Sequence, residues 1–166
     1  MTAVRLVGRY RDYRDLHLAV VDDVRDWPAT TELPPPGFVV LTTHDTRKRS
    51  EQEIRRFARR LLDQGCAWAC CWGPDADRME LAFDLEQIDV EERGYTQPEF
   101  VVTTAHGDES LDEAIWFAIF NADPADIECR SVLVVTEPQW EEQVEARLLD
   151  PEKLWDQVPG DEGAAE

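Results

Sequence analysis

No apolar run in the 166-residue sequence approaches the roughly 18–20 residues that a bilayer-spanning helix needs. The N-terminus, MTAVRLVGRYRDYRD, carries charge too early to hold the apolar core of a signal peptide, so a cytoplasmic protein with no membrane partner is expected. Glycine-rich phosphate loops are missing: neither G-x-x-x-x-G-K-[ST] nor G-x-G-x-x-G occurs. Absent too are the G-x-S-x-G nucleophile elbow, the H-E-x-x-H zinc helix and any cysteine on a loop near a histidine. No C-x-x-C pair exists, and no histidine stands at zinc-finger spacing from a cysteine. The chain therefore has no recognisable catalytic motif, and its residues name neither a cofactor nor a metal. Basic residues are the other scarcity: residues 73–166 hold only 5 Lys and Arg against 26 Asp and Glu, whereas residues 1–72 hold 12 against 10. A net charge of -19 repels phosphate backbones, so general nucleic-acid binding is not expected. The same charge suits a basic protein partner or loosely held divalent cations, or serves solubility alone.

What is present is an alternation of strand and helix. GFVVLTTH (37–44) is short, apolar and β-branched, and reads as a strand. SEQEIRRFARRLLDQG (50–65) reads as a helix: Ser50 and Glu53 form a capping box, and Ile54, Phe57, Ala58, Leu61 and Leu62 repeat at helical spacing before Gly65 stops it. CAWACCW (66–72), FVVTTAH (100–106) and SVLVVTE (131–137) read as further strands. GPDADRMELAFDLEQ (73–87) reads as a helix opening on Gly73 and Pro74, SLDEAIWFAIFNA (110–122) as one opening on the Ser110–Glu113 box, and PQWEEQVEARLL (138–149) as one capped by Thr136 and Gln139. Strands that each lead into a helix imply a parallel sheet, since parallel neighbours are joined by a crossover, usually a helix, and not by a short loop. The expected fold is α/β: a single domain with a central, mostly parallel four- to five-stranded sheet flanked by helices. The four strands are expected in the order 2-1-3-4 or 3-2-1-4. Residues 1–36 form an N-terminal segment with a possible edge strand at LHLAVV (16–21) and a Pro-rich connector, residues 37–157 the core domain, and 158–166 a disordered acidic tail. On the strand 66–72, strict alternation puts Cys66 and Cys70 on one face and Cys71 on the other, as reduced core residues.

Two blocks carry a resemblance. GCAWACCWGPD (65–75) and FVVTTAHGDESLDEAIWFA (100–118) resemble a bacterial family known only as a domain of unknown function. Its pattern is a G-C…W-G-P-D block followed by T-T-W-H-x-D-E-x-L-E-E-x-x-W-F. Gly65, Cys66, Trp72, Gly73, Pro74, Asp75, Thr103, Thr104, His106, Asp108, Glu109, Leu111, Glu113, Trp116 and Phe117 match it, and Ala105 stands where the pattern has Trp. The resemblance implies a shared fold and no assigned reaction.

In an open parallel sheet ligands bind beyond the carboxyl ends of the strands. That edge collects His44, Asp45, Asp75, Thr104, His106 and Asp108, which are the candidate ligand-binding residues, and His44, His106, Asp75 and Asp108 are expected to converge on one pocket for a cation or small polar ligand. The competing reading is that each merely caps or precedes a helix; helix initiation explains ESLDEA but not TTAH. Arg47, Lys48 and Arg49 precede a helix N-terminus and are candidates for an anion site, or else a solvated basic face. Trp116, Phe120 and Trp140, with Trp155 as a further contributor, are candidates for a partner or homodimer surface, or else core under another element. The leading expectation is a protein-binding or regulatory, immunity-like module. The alternative is an enzyme or a small-ligand or metal-binding domain using the carboxyl-end edge.

Overall fold

The computed structural model describes residues 3–29, 32–92, 101–124 and 127–157. The acidic tail expected over 158–166 lies outside these residues, and the helix read over 73–87 runs on to Glu92. One sheet of six strands organises the chain: β1 (Val4–Tyr10), β2 (Arg14–Val20), β3 (Phe38–Thr42), β4 (Cys66–Cys71), β5 (Val102–Ala105) and β6 (Ser131–Thr136), in the order β1-β2-β6-β3-β4-β5. Only the β1–β2 pair is antiparallel; the other neighbours are parallel. The fold is α/β and mostly parallel, as expected, with six strands rather than four or five. Among the four strands read from sequence the order is 3-2-1-4, and the alternative 2-1-3-4 is not seen. β3 and β6 are buried along their whole length, which is why they read as unbroken β-branched runs at the sheet centre. LHLAVV is not an edge: β2 pairs with β6, and β1 takes the outer position. β1 is half exposed and broken by an irregularity between Leu6 and Gly8, so it lacks a clean apolar alternation.

Helices cover both faces. α1 (Glu51–Asp63) and α2 (Ala76–Glu92) pack on one, with Trp27 of the connector. α3 (Leu111–Trp116), α4 (Glu141–Leu149) and α5 (Leu154–Gln157) pack on the other. The α1 reading holds residue by residue: Ile54, Phe57, Ala58, Leu61 and Leu62 are buried and both bonds of the Ser50–Glu53 box form. Burial of each of the four large side chains, Ile54, Phe57, Leu61 and Leu62, contributes about 1.5–3 kcal/mol before ordering costs. The Ser110–Glu113 box also forms. Two cap expectations fail. α2 starts at Ala76, not at Pro74, because Gly73 (φ 115°) and Asp75 (φ 58°) are left-handed and the chain must turn twice before it coils. Thr136 and Gln139 make no capping box; Pro138 starts a 3-10 turn instead, and the Thr136 hydroxyl bonds that of Thr43 at 2.7 Å.

β4 departs from strict alternation. Phe38 pairs with Cys66 but Val39 pairs with Trp68, so Ala67 is an extra residue, a bulge. Cys66 and Cys71 consequently face α1 and α2, while Cys70 faces α3. This corrects the expected Cys66–Cys70 pairing of faces. All four thiols are free and buried. Burial raises each of them, Cys70 to about 12, so they are inert core residues.

The third helix loosens as it ends. After α3 the backbone widens into a π turn over Phe117–Asn121, whose last carbonyls have no partner within the helix. Arg14, the first residue of β2 and 1% exposed, supplies it. Its guanidinium donates to the carbonyls of Ala118 (3.0 Å), Ile119 (3.0 Å) and Ala122 (2.7 Å).

Candidate functional site

β3 and β6 lie side by side, yet the helices that follow them leave on opposite faces: α1 over one side of the sheet, α4 over the other. Diverging connections open a crevice beyond the carboxyl ends of such a pair, the switch point where open α/β sheets bind ligands. The strand ends are stitched there. Besides the Thr43–Thr136 bond, the Asp45 amide donates to Glu137 Oε1 at 2.9 Å. Above the stitches sits a cavity of about 190 Å³, lined by Asp22, Asp23 and Val24 after β2, His44, Asp45, Lys48 and Arg49 after β3, and Glu137 and Gln139 after β6.

His44 is buried, 4% exposed and tilted against Phe57. Its Nε2 lies 2.7 Å from the Val21 carbonyl. A carbonyl only accepts, so Nε2 carries the proton, and in the neutral ring that burial favours Nδ1 is left with a bare lone pair. That Nδ1 has no partner among the described residues. Burial pushes the His44 pKa down; the carboxylates of Glu137, Asp23 and Asp22 pull the other way and do not offset it. The linkage follows. An unfolded chain binds a proton on this residue below about pH 6.5, and the folded one resists it, so stability is present above that pH and is lost as the pH falls below it. The slope approaches about 1.4 kcal/mol per pH unit for one such group. His17 is lowered by burial too and adds in the same direction. Urea melts of wild type and His44→Gln between pH 7.5 and 5.5 check this: the variant should show the shallower slope, and equal slopes would contradict the assignment.

A second cleft of about 360 Å³ lies beyond β4 and β5, lined among others by Asp75, Asp77, His106, Asp108 and Glu109. Gly73 forms its inner wall. A Cβ there would press on the Thr43 carbonyl at 3.0 Å, so glycine alone lets the chain pass over the end of β3. The expected convergence thus divides. His44 and Asp45 line the first cavity; Asp75, His106 and Asp108 line the second. Thr104 is bonded to His106 but does not line the cleft.

His106 is fully engaged. Nδ1 donates to Glu109 Oε2 at 2.8 Å, and Nε2 lies 2.8 Å from Thr104 Oγ1, which accepts from Trp68 Nε1 at 3.2 Å. Phe117 packs on the ring at 4.5 Å between centroids. Carboxylate, imidazole and hydroxyl stand in the order that activates a nucleophile. Here the hydroxyl faces Trp68 rather than the cleft, so the chain of bonds ties Trp68 of β4 and Thr104 of β5 to the loop that leads into α3. TTAH is explained by this strut, which sequence spacing alone did not reveal.

The anion candidates are spent or split. Arg47 forks onto Asp45, and Arg49 binds Asp23 together with Arg25. Lys48 has no ion-pair partner among the described residues, and it lines the His44 cavity. Asp22, Asp23 and Gln139 were missed from sequence; VVDDV carried the signal, an apolar strand running straight into two carboxylates. The aromatic candidates are roofed. Trp155 of α5 sits edge-on over Trp116 at 5.5 Å and against Phe120 at 4.9 Å, while Trp140 meets Trp72 at 5.2 Å. Trp155 itself remains 54% exposed. Among the described residues no helix is long and apolar enough to cross a membrane, and no group of three or more His, Cys, Asp and Glu is placed to hold a metal ion.

No curated protein matches the chain. Both blocks that carry the resemblance fall within the span that a family profile covers. That profile is the domain of unknown function DUF7684, and its match over residues 15–151 makes the chain a member of that family.

Proposed function

We propose that the chain is a binding protein for a small polar molecule, seated in the crevice between the carboxyl ends of β3 and β6. One observation carries this reading. A buried imidazole with an unpartnered acceptor nitrogen lines a polar cavity at the sheet's switch point. A buried acceptor left unpaired costs about 1–3 kcal/mol, and a ligand N–H or O–H would recover it. A cytoplasmic setting suits this reading, since the four thiols are free. The test is a screen of polar metabolites by imidazole ¹⁵N chemical shifts. A ligand should move the His44 signals and leave those of His106 in place; if none moves His44, the crevice is not a binding site.

A second reading, docking of a basic protein, is favoured by the other cleft. Asp75, Asp77 and Asp108 line it and have no ion-pair partner among the described residues. Glu80, on α2 with Asp77, is raised by burial and by its neighbours Asp84 and Asp77. A cationic patch would relieve that repulsion. Asp75→Asn, Asp77→Asn and Asp108→Asn together should release a captured basic partner at least tenfold more readily; equal retention by wild type and the triple variant would end this reading.

A further inference from the structure

Resting on the small-ligand reading above, we infer that the crevice takes a basic α-amino acid: one carboxylate, and two cationic nitrogens. The lining groups divide into those already committed and those left over. Asp23 is occupied by Arg25 and Arg49, and Asp45 by Arg47. Glu137 spends one oxygen on the Asp45 amide. Among the described residues the groups left over are the Asp22 carboxylate, Glu137 Oε2, the Lys48 ammonium, the Gln139 amide and His44 Nδ1. Two anions and one cation remain, drawn from three different strand ends.

That remainder selects a charge pattern. A phosphate or a dicarboxylate would answer Lys48 and meet repulsion from Asp22 and Glu137. A simple diamine would answer the carboxylates and leave Lys48 alone. A basic amino acid answers all three, with an ammonium or guanidinium N–H free to donate toward His44 Nδ1. Size agrees. A cavity of about 190 Å³ falls below the roughly 300–1,000 Å³ of pockets for drug-sized ligands, so it holds one small metabolite and not a nucleotide. A divalent cation is not favoured, because no group of three or more ligating side chains forms among the described residues.

Calorimetric titration of the full chain tests this with L-lysine, L-arginine, 1,5-diaminopentane, L-norleucine and L-glutamate, each followed in parallel by the His44 ¹⁵N shifts. L-lysine or L-arginine should bind at least tenfold more tightly than the diamine, norleucine or glutamate. Lys48→Met should weaken the amino acid about tenfold and leave the diamine no weaker. Asp22→Asn should weaken both. Lys48 and Asp22 are exposed, so unchanged melting temperatures are expected for the two variants. Glutamate or norleucine binding as well as lysine, with His44 responding, overturns the ligand class and leaves the crevice standing. Silence of His44 toward every probe overturns both.

Discussion

Replacing Arg14 by Met is expected to cost about 3–5 kcal/mol of stability. The guanidinium is 1% exposed and holds three carbonyls of the π turn and its exit, Ala118, Ile119 and Ala122. A thioether fills much of the volume but donates nothing, so three acceptors lose their partner at about 1–3 kcal/mol for each one that water cannot reach. The Asp123 contact at 3.5 Å adds little, since that carboxylate is 57% exposed. For a chain of this size the change corresponds to a melting point lower by roughly 10 °C. Urea denaturation measures the first figure and a thermal scan the second. Amide exchange should quicken first over residues 117–122. A loss under about 1 kcal/mol would mean that the π turn satisfies its own carbonyls once the arginine is gone. Arg14→Lys should recover only part of the loss, because a single ammonium cannot span the fork.

The second large effect is expected at Gly8. The Leu148 carbonyl of α4 lies directly on this residue, and a Cβ placed there would overlap the carbonyl oxygen. Neither side can yield cheaply: one belongs to a helix backbone and the other to a paired strand. Gly8→Ala should therefore lift α4 off the hairpin and cost about 3 kcal/mol, the upper end for an overpacked site. Leu6→Ala on the same strand is the control, since Leu6 is 58% exposed and its loss should stay within about 0.5 kcal/mol. Equal stability of Gly8→Ala and wild type would show that α4 rides on β1 more loosely than the packing implies.

The central layer was legible because its residues obey local rules without conflict. β3 and β6 sit between other strands and are apolar throughout; α1 carries a box, a periodic face and a glycine stop. What could not be read depended on distant partners. β1 is a strand because β2 and α4 are beside it, not because VRLVGRY alternates cleanly. The end of the third helix widens where a residue about a hundred positions earlier donates to its carbonyls. The candidate rim was found by applying the strand-end rule, and most of its residues do lie there. Its division into two cavities was not foreseeable, because the left-handed path through Gly73 and Asp75 sends the loop over the end of β3. Likewise His44 and His106 are both buried histidines after strands, yet only one keeps a free nitrogen. The difference lies in Glu109 and Thr104 on one side and a lone carbonyl on the other.

The bulge in β4 turns the native sulfurs into a set of built-in gauges. Cys66 and Cys71 lie beneath one helical layer, Cys70 and Cys129 beneath the other. Because every thiol is sealed, alkylation must wait for a layer to lift. A timed pulse of thiol reagent followed by peptide mass mapping would report which roof opens first, with no engineered label. Arg14→Met should hasten labelling of Cys70 and Cys129 while Cys66 and Cys71 keep their wild-type pace.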